Sequence, residues 1–381
     1  MPKKAPKSLG QVLEAALVKD PDDLATHAAY ADYLSEQGDP RGEFIQVQLA
    51  LEDPKRPAKE RKSLMKREVE LMMIHQRAWL ADLDPFLLDR DADSGRGDVQ
   101  WQFRRGWLSD LTIHRLTAKF ARALGKAPAA RLLRQLTITS LAFDDQFKDY
   151  SPLLKAPFLD SLRIFRLGDH WDSTEGIQNS HWWGPLPHSD FFGQLSRLEE
   201  LYLNVSIELN SLFALPTLTH LRVLQVYHTD EFPLEVLAGN GALGNLTRLS
   251  LQPNTGAYWN DRSPYTLAGF RALVQSPYLK SLTHLHLHQT NFGDAACEEL
   301  VSSGVLKRLK VLDLMYGSMT DAGARLLAKC PDVKNLELLQ LTRNGLSEFG
   351  IRALRKAVAN VVADEQHAPN DLGYLYEGDM E

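Results

Sequence analysis

The stretches LTHLHLHQT (282–290), LKVLDLMYG (309–317) and LELLQLTRN (336–344) decide the fold of this chain. Each reads Leu-x-x-Leu-x-Leu, and their first leucines stand 27 residues apart both times. In a strand, alternating leucines turn one face to a core and set the residues between them on the other face. Helix-patterned runs, AACEELVSS (295–303) and AGARLLAKC (322–330), separate the strands. A unit of one strand and one helix cannot bury its leucines alone, so it must stack on copies of itself.

Outward from this stretch, the same motif begins at Leu108, Leu133, Leu162, Leu198, Leu221 and Leu246, giving nine strands with Leu282, Leu309 and Leu336. The successive spacings are 25, 29, 36, 23, 25, 36, 27 and 27 residues. Six lie in the range of a leucine-rich repeat, and the two of 36 mark insertions at 168–192 and 253–265. The expected fold is α/β: a leucine-rich-repeat solenoid over 99–362, with parallel strands on the concave face and short helices outside. The unit starts Gly293-Asp294-Ala295 and Thr320-Asp321-Ala322-Gly323 make the last repeats resemble the ribonuclease-inhibitor type.

Before the repeats, apolar residues recur at helical spacing from Leu9 to Leu17, from Leu24 to Leu34, from Phe44 to Leu51 and over 55–80. This predicts an all-α domain over 1–84. A linker rich in Asp and Gly follows over 85–98, and WQFRRGWLSDLTIHR (101–115) reads as the first strand. The helix over 55–80 opens with seven basic residues and one acidic residue in KRPAKERKSLMKR, which reads as a solvated face. The end, 363–381, holds six carboxylates and no Lys or Arg. Its composition is that of a disordered tail, with a docked cap through Leu372, Tyr374, Leu375 and Tyr376 as the alternative.

The segment DPDDLATHAAYADYLSEQGDPRGEFIQVQ (20–48) resembles the repeat-companion domain found at the N-terminus of many bacterial proteins, notably from myxobacteria and planctomycetes. The likeness rests on Tyr30-Ala31-Asp32-Tyr33-Leu34 and on Gly38 to Ile45, with Tyr33 where the family has tryptophan. Phe103-Arg104-Arg105-Gly106 likewise resembles that family's entry into its repeats. The resemblance implies a following repeat array and carries no activity. Asp39, Arg41 and Glu43 read as structural: a helix start whose side chains pair with neighbouring helix ends.

A net charge of −6 makes no electrostatic case for nucleic acid. Two cysteines, Cys297 and Cys330, read as buried apolar side chains, not a disulfide scaffold. No run nears the ~20 apolar residues of a membrane span, and Glu14 and Lys19 interrupt what would be a signal peptide's apolar core, so a cytoplasmic protein is expected. No nucleotide loop, His-Glu-x-x-His pair, Gly-x-Ser-x-Gly elbow or paired-cysteine metal motif is present, and no cofactor is implied.

Function is therefore sought on surfaces. The leucine phase sends Tyr202, Tyr227, Arg248, His284, His286, His288 and Asp313 to the concave face, with Asp313 beside His286 on the next strand. The insertions add Trp171, Trp182, Trp183, Tyr258 and Trp259, together with Phe191, Phe192 and Tyr265. Long loops in compact arrays are usually functional, and Trp and Tyr dominate interface hot spots. The expected function is a non-enzymatic adaptor or inhibitor that holds another protein on these residues. The alternatives are a metal-dependent enzyme centred on His284, His286, His288 and Asp313, and a regulator switched by partner release or proteolysis.

Overall fold

The computed structural model describes residues 8–89, 99–140, 150–168, 189–205, 207–229, 231–253 and 264–368. The fold is α/β, with a helical N-terminal region and an eleven-stranded, mostly parallel sheet whose strand order follows the chain. It divides into two compact units, 1–164 and 165–381.

In the first unit four helices, α1 (Leu9–Lys19), α2 (Leu24–Glu36), α3 (Pro40–Glu52) and α4 (Ala58–Leu80), precede β1 (Gln100–Arg104), β2 (Trp107–Ile113) and β3 (Gln135–Ile138). Local chemistry sets the helix starts. Ser8 and Gln11 form a capping box, Asp23 caps α2, and Asp39 caps α3 with Pro40 at its first position. Residues 85–87, expected as the beginning of a linker, belong to a helical turn, Asp84–Leu87, whose Phe86 stacks on Phe120 at 4.8 Å. The segment expected as one strand is a hairpin: β1 pairs antiparallel with β2, and β2 pairs parallel with β3. Arg105 (φ 49°) and Gly106 (φ 79°) make its two-residue turn, the left-handed pair such a turn demands.

The helices hold this turn from several sides. Gln48 Nε2 donates to Glu68 Oε1 (2.8 Å) and to Phe103 O (3.1 Å), while its Oε1 accepts from Gly106 N (2.8 Å). Arg105 donates through two nitrogens to Glu52 (2.9 and 2.7 Å), and Trp107 stacks on Tyr30 at 5.7 Å. The Arg41 guanidinium donates to Trp79 O at the end of α4 and lies 5.8 and 5.5 Å from the Trp79 and Trp107 rings. Glu43 pairs with the Arg67 side chain (2.7 Å), not with a helix end. The two motifs behind the sequence resemblance, 38–45 and 103–106, thus belong to one packed joint.

The second unit carries the rest of β4 (Ile164–Leu167), then β5 (Glu200–Asn204), β6 (Val223–Thr229), β7 (Arg248–Pro253), β8 (His284–Leu287), β9 (Val311–Asp313), β10 (Leu338–Gln340) and β11 (Val361–Val362). From β5 to β11 all pairings are parallel, and Leu201, Leu224, Leu249, Leu285, Leu312 and Leu339 oppose one another in register, each at most 1% exposed. The turns after the last strands repeat as the sequence does. Gln289, Tyr316 and Arg343, each 27 residues on, adopt φ of 57°, 54° and 58°, and each N–H donates to the turn that follows. Asp294 accepts from Thr320 N and Oγ1, and Asp321 accepts from Ser347 N and Oγ, which ties each helix start to the next. Buried Asn344 donates to Leu314 O and Leu341 O and accepts from Met319 N.

Three aromatic residues assigned to the insertions belong to the core. Phe191 and Phe192 pack edge-on against Phe165, and Tyr265 stacks on Phe232 at 5.0 Å and donates to Leu251 O (3.0 Å). Each is at most 2% exposed, because both insertion ends turn back onto the leucine layer. The first residues of the acidic tail are likewise docked: Gln366 donates to Leu341 O, and Arg343 pairs with Glu365. The rest of the tail from 369, and linker residues 90–98, lie outside the described residues.

A Cβ at Gly106 would stand 2.3 Å from Ile45 Cγ1 in a left-handed backbone, whereas at Gly304 (φ 69°) its closest neighbour would be 3.9 Å away. Gly304→Ala is expected to cost about 1 kcal/mol from backbone strain alone, and Gly106→Ala about 3 kcal/mol from strain plus overpacking. Urea denaturation of the full chain measures both; equal costs would contradict the joint described above.

Candidate functional site

Because the six leucines fix the register, the residues between them form rows across the opposite face. The first row runs Glu200, Val223, Arg248, His284, Val311, Leu338. The middle row runs Tyr202, Gln225, Ser250, His286, Asp313, Gln340. A third runs Asn204, Tyr227, Gln252, with His288 hydrogen-bonded to Gln252 (3.2 Å).

The centre of the face is the Asp313 carboxylate. Its Oδ2 accepts from His286 Nδ1 and from His288 Nε2, both at 3.1 Å, and its Oδ1 accepts from Met315 N at 3.1 Å. Burial pushes this carboxyl upward, but the two imidazoles outweigh it and hold Asp313 well below the usual carboxylate range. Burial, aided by the Asp313 charge, pushes the Tyr227 phenol up to about 12. Burial, then the charges of Arg248 and His286, hold His284 below the ordinary histidine value. Around this centre, His288 meets the Tyr316 ring edge-on at 6.2 Å, and Arg343 lies 5.6 Å from the same ring. Farther along, Arg166 sits 4.7 Å over Tyr202, whose hydroxyl donates to Glu200 (2.8 Å).

The structure brings His286, His288 and Asp313 together and leaves His284 apart, its Nδ1 against Thr283 Oγ1 at 2.9 Å. The facing atoms of the trio are engaged with one another, and among the described residues no three His, Cys, Asp or Glu side chains are placed to hold a metal ion. Tyr202, Tyr227 and Arg248 lie on the same face, with Arg248 exposed. Asp313, expected to be open on that face, is buried, as are its fellow row members Asn204, Ser250 and Gln252. Trp171, Trp182, Trp183, Tyr258 and Trp259 lie outside the described residues. Tyr316 and Arg343 were not singled out in sequence; their signal is the 27-residue recurrence of the left-handed position.

A second surface lies on α4. Met65, Val69, Met73 and Ile74 are more than half exposed, beside a cavity of about 240 Å³ lined by Val69, Met72, Met73, Trp101 and Phe103. The α4 residues that are buried are Leu71, Trp79 and Leu80.

No family model and no curated protein matches the chain. Among solved structures, a crystal structure of a protein from Bacteroides fragilis is similar at 17% identity and a TM-score of 0.40, over 67% of this chain and 66% of that one. At that distance the match assigns no role.

A depressed carboxylate contributes stability that is full above its unfolded value, about pH 4, and is lost as pH falls through its lower folded value. Asp313→Asn is therefore expected to cost about 3 kcal/mol at pH 7 and progressively less below pH 4. Chemical denaturation of both proteins across pH 2–7 measures the gap. A gap that stays constant with pH would contradict an ionised, imidazole-bound Asp313.

Proposed function

We propose that the chain is a protein-binding module, a leucine-rich-repeat solenoid serving as an intracellular adaptor or inhibitor. The observation that carries this reading is the set of in-register rows on the face opposite the leucines. Across six strands they present phenol, imidazole, amide, guanidinium and a few apolar groups on one broad surface. Mixed composition with Tyr and Arg is that of a protein interface, where aromatic and Arg anchors supply most of the affinity. A phosphate-binding surface would be dominated by Lys and Arg, and these rows contain one arginine, Arg248, balanced by Glu200 and Asp313. Trp182 and Trp259, in the insertions that leave the same sheet, are the further contacts this reading expects.

Cross-linked co-purification from the native host, followed by binding measurements with the protein recovered, tests the proposal. Tyr227→Ala with Arg248→Ala, and separately Trp182→Ala with Trp259→Ala, are expected to weaken binding at least tenfold, about 1.4 kcal/mol or more. Arg271→Ala, at a helix residue paired with Glu299, is expected to leave affinity unchanged. Loss with Arg271→Ala and none with the other variants would put the interface elsewhere.

A further inference from the structure

Two polar atoms of the middle row are buried and unanswered: Gln225 Nε2 and His286 Nε2. Gln225 and His286 are the register partners of Ser250 on either side, so the two residues flank it. Ionised Asp313 can only accept, so His286 presents Nδ1–H to it, and in its uncharged form the imidazole carries a bare lone pair at Nε2. Gln225 Nε2, an amide nitrogen, can only donate. The Ser250 hydroxyl, one atom beyond its Cβ, bonds neither of them.

We propose that Gln225, Ser250 and His286 form a slot for a primary carboxamide, the side chain of an Asn or Gln on the partner protein. The proposal rests on the protein-binding reading above and names the chemistry of one contact within it. A carboxamide accepts through its oxygen from Gln225 and donates through its nitrogen to His286. Two hydrogen bonds of about 2.9 Å and an O···N separation of about 2.3 Å bridge about 8 Å. The backbones of the outer strands are two strand spacings apart, roughly 9.6 Å, a separation that the bridge matches to within about 2 Å. A carboxylate has no proton for His286, an ammonium has no acceptor for Gln225, and a lone hydroxyl spans only about 6 Å. Both residues reach the surface: the His286 side chain is 24% exposed and Gln225 is half-buried. The free protein bears the desolvation of both groups unpaired, and a carboxamide relieves both together.

Panning a phage-displayed library of random twelve-residue peptides on the full chain tests this. Enriched peptides are expected to share Asn or Gln at one position. A synthetic peptide from that set should lose about tenfold in affinity when the residue becomes Asp or Glu, and by the same factor on Gln225→Leu. Gln225→Leu removes an unpaired buried donor, so its melting temperature should match or exceed that of the wild-type protein. In the complex, the ¹⁵N resonance of His286 Nε2 should move upfield as it accepts a hydrogen bond. Peptides that bind wild type and Gln225→Leu equally would overturn the slot and leave the binding surface standing. If wild type enriches no peptide, both the slot and the protein-binding reading fail.

Discussion

Six leucines, one per strand and opposed in register from Leu201 to Leu339, are the constraint on which the second unit depends. The strands are short, three to seven residues, and none could persist alone. Stacking gives the inner four leucines two like neighbours each and removes all six from water, which stabilises by about 2 kcal/mol per side chain. A one-residue slip would turn every leucine outward, so register is strongly specified. The same specification fixes what stands on the other face. Asp313 lies beside His286, and Ser250 lies between Gln225 and His286, because the leucines before and after them are paired.

That dependence explains which parts of the molecule were legible in the sequence. Eight of the nine motif starts precede a strand by two residues and Leu108 lies within β2, since a period-two apolar pattern bounded by polar turns has few alternatives. The pairing of His286 with Asp313 was also legible, because both residues occupy the same phase of units exactly one period apart. The reach of His288 to the same carboxylate oxygen was not, because it runs diagonally between strands and depends on rotamers. Phe191, Phe192 and Tyr265 were misplaced for a related reason. At the ends of irregular stretches they lack a periodic partner, and only packing against Phe165 and Phe232 reveals them as core.

The joint in the first unit shows a different limit. Gln48 and Arg105 bond across more than fifty residues of chain, to Gly106 and to Glu52, and no periodicity links such positions. The signal present was local: a Gly that tolerates a left-handed turn. Together these bonds pack 38–48 and 103–107 into one joint.

The central claim is that the polar face opposite the leucines holds a protein. Hydroxyl-radical footprinting of the chain with its co-purified partner tests this most directly, residue by residue. The account predicts that Tyr202, Tyr227, His288 and Tyr316 lose reactivity on binding while Tyr278, 47% exposed and outside the rows, keeps it. Protection of Tyr278 with no change at those four residues would contradict it.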